Sequence, residues 1–369
     1  MATSVKEIIE GYRSAAPLAE ASTPPAAWYI DPRIFRLEQR TVFSCSWQMV
    51  GRADQVREAG QYITCEIAGE SILVVRDSDG VLRGFFNVCR HHAAAIVVEP
   101  EGRTQNLRCP YHGWTYNLEG ALVVTPEFGG VRNFDRSANA LLPLQTALWE
   151  GWIFVKLDRN GPSLAEFLGG ELLNRIKRLG LDQLRWTERR CYTLACNWKV
   201  FVDNYLDGGY HVPHIHSGLG SVLDQSHYTI ETGERFCVQS SPIVMRKADP
   251  QTAAVRTGDQ ALYYWIYPNF MINWYQGVMD TNLVCPRGVD QTEVIFDFYF
   301  ADGSKEARER NLASIAVGER IQAEDKAICE SVQRGLTSRA YNTGRLSVRR
   351  EAGEHLFHRL LHADLKKLL

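Results

Sequence analysis

The feature that most constrains this chain is a pair of short cysteine–histidine motifs. Cys89 and His91 form Cys-x-His, Cys109 and His112 form Cys-x-x-His, and residues 92–108 join them. These donors suit a structural zinc in a Cys2His2 tetrahedron, or a [2Fe–2S] cluster with two cysteines on one iron and two histidines on the other. Spacing alone leaves both open. Each motif supplies one cysteine and one histidine, however, and this mixture favours the cluster.

The segment around the motifs predicts a small antiparallel β domain. Residues 44–156 alternate short apolar strands with turn signals, as in YITCEI, SILVVRDSDGVLRGFFNV, TYNLEGALV and GWIFVKL. The Asp79-Gly80 dipeptide predicts a hairpin turn. His92 stands in an extended loop where it points away from its neighbour, so we predict that it is not a ligand.

The flanking segments predict a second, larger domain. Residues 1–43 form an N-terminal arm that we expect to pack on this larger domain. Residues 157–369 mix both element types, with predicted helices at about 163–180 and 304–336 and strands within 228–246 and 261–301. The whole chain is therefore predicted to be α+β, and its larger domain an antiparallel sheet flanked by helices.

A second group of potential metal ligands lies in DNYLDGGYHVPHIH, residues 203–216. It contains two acids and three histidines: Asp203, Asp207, His211, His214 and His216. A helix would place both acids and the first histidine on one face. The Gly208-Gly209 pair and Pro213 must interrupt that helix. An unbroken helix favours His214 as the second ligand and a broken one favours His216, and the pattern leaves this choice open.

The third ligand of such a site is expected to be a carboxylate, because non-haem iron(II) commonly takes two histidines and one acid on one face. In the predicted helix 304–336, a buried stripe is predicted at Ile321, Ile328, Val332 and Leu336. Asp325 falls on that stripe, where an acid is costly unless it is paired or binds a metal. A buried salt bridge is the alternative role. Glu324 and Glu330 fall off the stripe and are predicted to be solvated.

Composition excludes several partners. The 369 residues carry 41 Lys and Arg against 43 Asp and Glu, without a basic block that could follow a phosphate backbone. No apolar run approaches the length of a membrane span, and the N-terminus lacks the apolar core of a signal peptide and a recognisable plastid transit peptide. Nine cysteines form an odd, irregular set. We predict a cytoplasmic protein with reduced thiols that binds neither nucleic acid nor membrane.

The motif residues CRH and CPYHGW resemble the ligand loops of Rieske non-haem iron oxygenases. The resemblance covers nearly the whole chain. The segments NWKVFVDNYLDGGYHVPHIH, YPNFMINWYQGVMDTNLV, EDKAICESVQRGL and HLFHRLLH are similar to the choline monooxygenase branch of that family, which acts on quaternary ammonium compounds.

This resemblance implies two cofactors and their ligands. A Rieske [2Fe–2S] cluster is expected on Cys89, His91, Cys109 and His112. A mononuclear Fe(II) is expected on His211, His216 and Asp325. The family links the cluster of one subunit to the iron of the next, in a head-to-tail homotrimer, through an acid before the first histidine. Family members often place that acid where this chain has Gly208, so Asp203 or Asp207 must serve, and we favour Asp207.

The resemblance also implies the reaction. We expect O2-dependent hydroxylation of choline to betaine aldehyde (hydrate), with residues 157–369 as the catalytic domain. NAD(P)H would be oxidised by a separate ferredoxin or flavin/iron–sulfur reductase, because this chain has no Gly-rich dinucleotide loop after a strand. The alternative is N-demethylation or C–N cleavage of a carboxylated betaine such as carnitine, glycine betaine or stachydrine. Its carboxylate would need a basic partner, for which Arg246 and Arg287 are available.

An aromatic run at residues 263–275 offers a cage for the ammonium group. Cation–π contacts contribute roughly 0.5–2 kcal/mol each, and the candidates are Tyr263, Trp265, Tyr267 and Trp274. For any one of them, ordinary sheet packing is the alternative. A Rieske electron carrier or a zinc-stabilised ammonium-binding module would explain the Cys/His motifs, but neither explains why His211, His216 and Asp325 occur together.

Overall fold

The structure is a computed structural model that describes residues 3–244 and 249–369. The chain divides into two compact units. One unit is Gln39–Phe167, and the other comprises the described residues up to Glu38 and from Leu168 onward. The sequence predicts boundaries after residues 43 and 156, and the structure places them after Glu38 and Phe167. Arg246, one of the two arginines considered for a substrate carboxylate, lies outside the described residues.

The smaller unit is built from antiparallel β-strands, as predicted. Its strands are β1 Gln48–Arg52, β2 Gln61–Ile67, β3 Glu70–Arg76, β4 Leu82–Phe86, β5 Glu101–Arg103, β6 Leu107–Arg108, β7 Thr115–Tyr116, β8 Leu122–Val124, β9 Pro143–Trp149 and β10 Trp152–Lys156. One sheet has the order β1-β10-β9-β4-β3-β2-β5, and a smaller sheet has the order β6-β7-β8. The prediction of a small antiparallel β domain is therefore confirmed.

Local chemistry shapes the predicted hairpin between β3 and β4. The Asp77 carboxylate accepts hydrogen bonds from the N–H groups of Asp79 and Val81, at 3.0 and 2.7 Å. Gly80 has a φ of +78°, which glycine adopts without strain. The strands of this unit enclose an apolar cluster that includes Leu73, Phe85 and the two motif cysteines. This core holds the cysteine–histidine loops in place.

The larger unit contains one seven-stranded antiparallel sheet and the described helices. Its strands are β11 Arg185–Leu194, β12 Thr229–Thr232, β13 Phe236–Pro242, β14 Gln260–Ile266, β15 Phe270–Tyr275, β16 Val278–Pro286 and β17 Thr292–Phe300. The order across the sheet is β11-β17-β16-β15-β14-β13-β12. The larger unit combines this antiparallel sheet with α-helices, which confirms the predicted α+β class.

The described α-helices belong to this larger unit except for α4, which spans Leu164–Leu168 at its boundary. They are α1 Val5–Glu10, α2 Ala27–Ile30, α3 Pro32–Glu38, α4 Leu164–Leu168, α5 Gly170–Lys177, α6 Trp198–Leu206, α7 Val212–Ile215, α8 Ser217–Gly220, α9 Pro250–Ala253, α10 Arg308–Leu336 and α11 Ala352–Leu365. Helices α6 and α10 contact each other, and α6 also contacts α11 and β16. Helix α6 therefore links the sheet to both long helices.

Helix α6 ends where the sequence predicts a break. It begins after Asn197, whose side chain accepts a hydrogen bond from the N–H of Lys199. It stops at Asp207 because Gly208 and Gly209 follow with φ values of +68° and +65°. A Cβ at Gly208 would lie 2.1 Å from the carbonyl oxygen of Arg350, so no larger residue fits there. The short α7 then continues the chain.

The buried face of α10 differs from the predicted stripe. Buried positions include Gln322, Cys329, Gln333 and Leu336, whereas Ile321 and Ile328 are half-buried and Val332 is 44% exposed. The inward face is thus rotated by about one residue from the predicted one. The spacing of the apolar residues does not identify the buried face of α10, because polar side chains with hydrogen-bond partners are buried there as well. Gln333, for example, accepts a hydrogen bond from the N–H of Asn197 at 2.9 Å.

A buried ion pair fastens the N-terminal segment to α6. The Lys199 ammonium lies 2.6 Å from a Glu38 carboxylate oxygen, and both side chains are fully buried. The other oxygen of Glu38 accepts a hydrogen bond from the Trp198 indole at 2.9 Å. Since an unpaired buried charge is strongly destabilising, these bonds tie the end of α3 to the start of α6.

Candidate metal centres

The two cysteine–histidine loops share one backbone design. The N–H of Cys89 donates to the carbonyl of Ala94 at 2.8 Å, and the N–H of Ala93 donates to the carbonyl of Cys89 at 3.0 Å. The loop Cys109–Trp114 repeats both bonds, at 2.8 and 3.1 Å. In each loop the residue four positions after the cysteine is left-handed, with φ +60° at Ala93 and +72° at Gly113. Two loops with the same backbone hydrogen bonds therefore each present one cysteine and one histidine.

Both motif cysteines are buried free thiols. Burial raises the pKa of the Cys109 thiol, and the adjacent Cys89 thiol contributes to the rise, while backbone N–H groups of Tyr111 and His112 oppose it. The Tyr116 hydroxyl lies 3.5 Å from the Cys89 sulfur. Backbone N–H groups directed at sulfur stabilise a thiolate, which is the form that binds metal.

The two motif histidines lie close to each other. The ring centroids of His91 and His112 are 4.8 Å apart, and His91 stacks on Trp114. The Nδ1 of His91 is buried and has no hydrogen-bond partner among the described residues. Burial, with the neighbouring His92 and His112, lowers the pKa of His91, which favours the neutral ring that a metal requires. The donor set and this unpaired nitrogen fit a [2Fe–2S] cluster.

A second group of donors converges in the larger unit. Ligand atoms of His211, His216 and Asp325 all lie within 4.8 Å of one another. The Nε2 of His216 is 3.0 Å from an Asp325 oxygen, and the Nε2 of His211 is 3.7 Å from that same oxygen. Two imidazoles and one carboxylate form the donor set that non-haem Fe(II) prefers. These residues therefore fit a mononuclear iron.

The helix break determines which histidines take part. His211 follows the Gly-Gly pair, and His216 closes the short α7 and is only 2% exposed on its side chain. His214 lies between them and is exposed. The geometry therefore favours His216 over His214 as the partner of His211 and Asp325.

Each of these two histidines has a carboxylate on its other ring nitrogen. The Nδ1 of His211 is 2.7 Å from Asp207, and the Nδ1 of His216 is 2.7 Å from Glu324. Burial lowers the pKa of His216, but hydrogen bonds and attraction from Asp325 and Glu324 outweigh it, so the net shift is upward. Carboxylates in this outer position orient the rings and leave both Nε2 atoms directed at the shared site.

Glu324 and Glu330 are only partly solvated, with 32% and 26% of their side chains exposed, and both have hydrogen-bond partners that the sequence does not indicate. Glu324 binds His216, because the face of α10 next to the predicted stripe is the one that meets the ligand loop. Glu330 accepts a hydrogen bond from the N–H of Ala195 at 3.0 Å. The candidate ligand Asp325 also has a partner outside the site, since the Asn204 amide donates a hydrogen bond to it at 2.8 Å.

Asp203 belongs to a different network. It accepts hydrogen bonds from the Tyr29 hydroxyl at 2.6 Å and faces the His358 Nε2 at 2.9 Å. Glu354 lies 3.8 Å from the same His358 nitrogen. Burial and neighbouring carboxylates raise the pKa of Glu354 well above its usual range. Among the described contacts of Asp203 none is with His211, whereas Asp207 contacts it directly.

A cavity of about 110 Å³ opens beside His211, His216 and Asp325. Its aromatic wall consists of Phe201, Tyr205, Tyr228, Tyr263, Tyr275 and Phe296. Two charged side chains, Arg256 and Asp280, also line it and are almost completely buried. The space suits a small substrate that is mostly enclosed by rings.

Only one of the four aromatic residues predicted for a cage, Tyr263, is among the described residues that line this cavity. The Trp265 indole donates to the carbonyl of Pro268, and the Tyr267 hydroxyl donates to Asp364 of α11. Trp274 is next to Tyr275 in β15, so its side chain points to the opposite face of the sheet.

Sequence reasoning missed several residues of the cavity wall. Tyr205 and Tyr228 lie outside the aromatic run, and Arg256 lies in a loop without a motif. Asp280 carries a signal that could have been used, because it is an acid inside the mostly apolar strand VMDTNLVCP. Arg287, proposed from sequence for a substrate carboxylate, instead pairs with Glu293 at 2.6 Å.

The folds and both sites define an iron-dependent oxygenase of the two-centre type, and comparisons with protein families agree. Residues 46–135 match the Rieske [2Fe-2S] domain, and residues 181–366 match the ring hydroxylating alpha subunit (catalytic domain). The chain belongs to the family of Rieske oxygenase alpha subunits. Its cofactors are therefore a Rieske [2Fe–2S] cluster and a mononuclear iron.

Comparisons with individual relatives narrow the type of oxygenase. The chain is 40% identical to the chloroplastic choline monooxygenase of Arabidopsis thaliana, over 99% of this chain and 88% of the relative. It is 31% identical to the carnitine monooxygenase oxygenase subunit of Escherichia coli (strain K12), over 87% of this chain and 86% of the relative. These similarities make it a Rieske-type monooxygenase.

A solved structure agrees with this classification. The quaternary ammonium Rieske monooxygenase CntA, in complex with L-carnitine, superposes with a TM-score of 0.82 at 27% identity, over 97% of this chain and 98% of that one. Of the helices within residues 3–244 and 249–369, none combines the length and apolar character needed to cross a membrane.

Proposed function

We propose that this chain is the oxygenase component that hydroxylates a quaternary ammonium substrate, with choline as that substrate. The observation that carries the proposal is the tyrosine-lined cavity directly beside His211, His216 and Asp325. Similarity to choline monooxygenases along almost the whole chain supports it. One oxygen atom of O2 would enter the C–H bond next to the choline hydroxyl and the other would leave as water, with two electrons and two protons supplied. The product is betaine aldehyde hydrate.

We assign the ligands of the two centres from their geometry. The cluster would be held by Cys89, His91, Cys109 and His112, and the single iron by His211, His216 and Asp325. Iron bound at the second site would supply the activation of O2. The protein's own contribution is to position the residues that would bind the iron. Asp207 and Glu324 hold the two imidazoles and Asn204 holds the carboxylate, so that the open side of the site faces the cavity.

The cavity tyrosines suit a cation that cannot donate hydrogen bonds. Burial raises the pKa of all four phenols, so they are neutral at physiological pH: Tyr205, Tyr228, Tyr263 and Tyr275. Their hydroxyls are already engaged. Tyr205 donates to Asn273 and Tyr228 to Gln239, and the hydroxyls of the other two are 2.7 Å apart. The ring faces are therefore what these phenols offer an ammonium group. Two of the rings already carry a cation on one face, since Arg350 lies 5.5 Å from the Tyr228 centroid and Arg256 lies 4.9 Å from the Tyr275 centroid.

Electrons would come from a separate ferredoxin or flavin/iron–sulfur reductase that oxidises NAD(P)H. We propose a head-to-tail homotrimer in which Asp207 links its own His211 to the cluster of a neighbouring subunit. Two observations support this link: Asp207 bonds His211 directly, and His112 is exposed. A solved structure of a quaternary ammonium Rieske monooxygenase gives insights into inter-subunit electron transfer in that protein. A cytoplasmic location stays a prediction, since the plant choline monooxygenases are chloroplastic.

One observation favours a second candidate, oxidative N-demethylation or C–N cleavage of a carboxylated betaine. Arg256 lines the cavity at 3% exposure, and its Nη1 donates to the Ser314 hydroxyl at 2.6 Å. Its Nε has no hydrogen-bond partner within the described part of the chain. This guanidinium could bind a substrate carboxylate.

The test is a product assay with the iron-reconstituted protein, a surrogate reductase and NADH. Choline is compared with carnitine, glycine betaine and stachydrine, while oxygen consumption is recorded and products are identified by mass spectrometry. Betaine aldehyde from choline supports the first proposal. A demethylated or cleaved betaine, with choline giving only background consumption, supports the second. Background consumption with all four compounds would overturn both.

A further inference from the structure

Asp280 is a buried carboxylate in the wall of the substrate cavity. It lies in β16, where it is opposite Asn273 of β15 and Phe298 of β17. Residues that are opposite each other in an antiparallel sheet point to the same face, and Tyr263 is opposite Asn273 in turn. Asp280 therefore shares the face of the sheet that carries part of the tyrosine wall. Its exposed fraction is only 7%.

The immediate partners of Asp280 are neutral. Its Oδ2 accepts hydrogen bonds from the side-chain amides of Asn273, at 2.7 Å, and Asn282, at 3.1 Å. No ion pair within 4.0 Å is found for Asp280 in the described residues. Burial raises the pKa of this carboxyl, although attraction from Arg256 and the two amide bonds partly oppose the rise. A buried acid with only neutral hydrogen-bond partners is costly for the fold alone.

Arg256 contributes the opposite charge to the same cavity without forming a close pair with Asp280. Its guanidinium lies 4.9 Å from the ring centroid of Tyr275 and bonds Ser314 of α10. The two groups of opposite charge both line the cavity, and no salt bridge joins them among the described residues. If Asp280 were neutral, Arg256 would be left as a positive charge that repels a cationic substrate.

We propose that Asp280 is a specificity-determining residue that supplies the counter-charge for the quaternary ammonium group of the substrate. This inference rests on the proposed function. A quaternary ammonium nitrogen has no N–H to donate, so a protein recognises it through charge and through ring faces. The tyrosines provide the ring faces, and Asp280 is the acid that lines the same cavity away from the iron ligands and their partners.

The test compares choline with 3,3-dimethyl-1-butanol, a neutral analogue in which carbon replaces the charged nitrogen. Dissociation constants are measured for the wild type and for Asp280→Asn, with the visible cluster spectrum and iron content as checks of folding. Asp290→Asn is the matched control, because it makes the same change at an exposed position between β16 and β17. We expect Asp280→Asn to weaken choline binding by roughly tenfold or more. Binding of the neutral analogue should change little, and the control should retain the wild-type preference.

An Asp280→Asn protein with an intact cluster spectrum and an unchanged preference for choline would overturn the inference. If this variant does not fold, Asp280→Glu decides, because it retains the charge. A preference for choline over the neutral analogue must survive in it, and loss of that preference overturns the inference. The wild type separates the two proposals. If it oxidises neither choline nor a betaine, the proposed function fails, whereas wild-type turnover with an unaltered Asp280→Asn preference rejects only the role of Asp280.

Discussion

The two metal sites of this protein are built in opposite ways. The ligand loops of the smaller unit are close in sequence, and each positions its cysteine through two backbone hydrogen bonds of its own. The proposed ligands of the second site come from distant segments, since His216 and Asp325 are 109 positions apart. Their side chains are oriented by carboxylates and an amide rather than by local backbone. The first site depends on loop geometry and the second on how α10 packs against the α6–α7 segment.

The largest expected effect is a clean separation of the two centres. Asp325→Ala should lower the turnover number by at least roughly 10³-fold, because it removes a proposed iron ligand. The visible spectrum of the cluster should remain. Cys109→Ser should do the reverse, losing the visible spectrum while Fe(II) still binds at the second site. Absorption spectroscopy and iron analysis of both variants check this, and loss of both centres in either one would break the comparison.

A smaller effect is expected when the outer carboxylates are removed. Asp207→Asn and Glu324→Gln should each weaken Fe(II) binding at the second site by roughly 10–100-fold, because the histidine rings lose their orienting partners. The cluster spectrum should not change. Anaerobic Fe(II) titration measures the affinity, with Glu309→Gln on the exposed face of α10 as the control. Equal affinities in all three variants would show that these carboxylates do not orient the ligands.

Because the two cysteine–histidine loops share one backbone design, we expect two substitutions to change their stability in opposite directions. Gly113→Ala should destabilise the cluster loops by about 1–2 kcal/mol, because a left-handed residue with a Cβ is strained. That Cβ would also lie 3.3 Å from the Arg108 guanidinium. Ala93→Gly should be neutral or stabilising by up to about 1 kcal/mol, because it relieves the same strain at φ +60°. Thermal loss of the visible absorption measures both, and shifts of the same sign would contradict the shared design.

The smallest expected effect concerns the carboxyl network around α6. Because burial raises the pKa of Glu354 well above the ordinary value of 4.5, the folded state holds a proton that the unfolded state releases. Stability should therefore fall as the pH rises above about 4.5, until Glu354 ionises in the folded state as well. Glu354→Gln removes this dependence. Urea unfolding should show a larger benefit of the substitution at pH 7 than at pH 5, and a larger benefit at pH 5 would contradict the assignment.

The same comparison explains what the sequence could predict. The Cys/His motifs encode a contiguous structure, and the strands and turns around them follow from local patterns, so the smaller unit was accessible to prediction. The break after α6 was also predictable, because it depends on Gly208 and Gly209.

The second site was accessible only in part. Which of His214 and His216 turns inward depends on the tertiary packing of α7, and the role of Glu324 depends on which face of α10 meets that loop. The rotation of the buried face by about one residue explains why the sequence did not indicate the contact of Glu324 with His216. The cavity wall was harder still, because Tyr205, Tyr228 and Asp280 meet through sheet register and helix packing, which no local pattern records.

The most direct test of the account is a single turnover in which both centres must act together. Protein with both iron sites filled is reduced under anaerobic conditions and mixed with O2 and choline, while the cluster absorption and the product are followed. The account predicts that the cluster is oxidised and betaine aldehyde forms in the wild type, whereas in Asp325→Ala the cluster stays reduced and no product forms. Product formation by Asp325→Ala at the wild-type yield would contradict it.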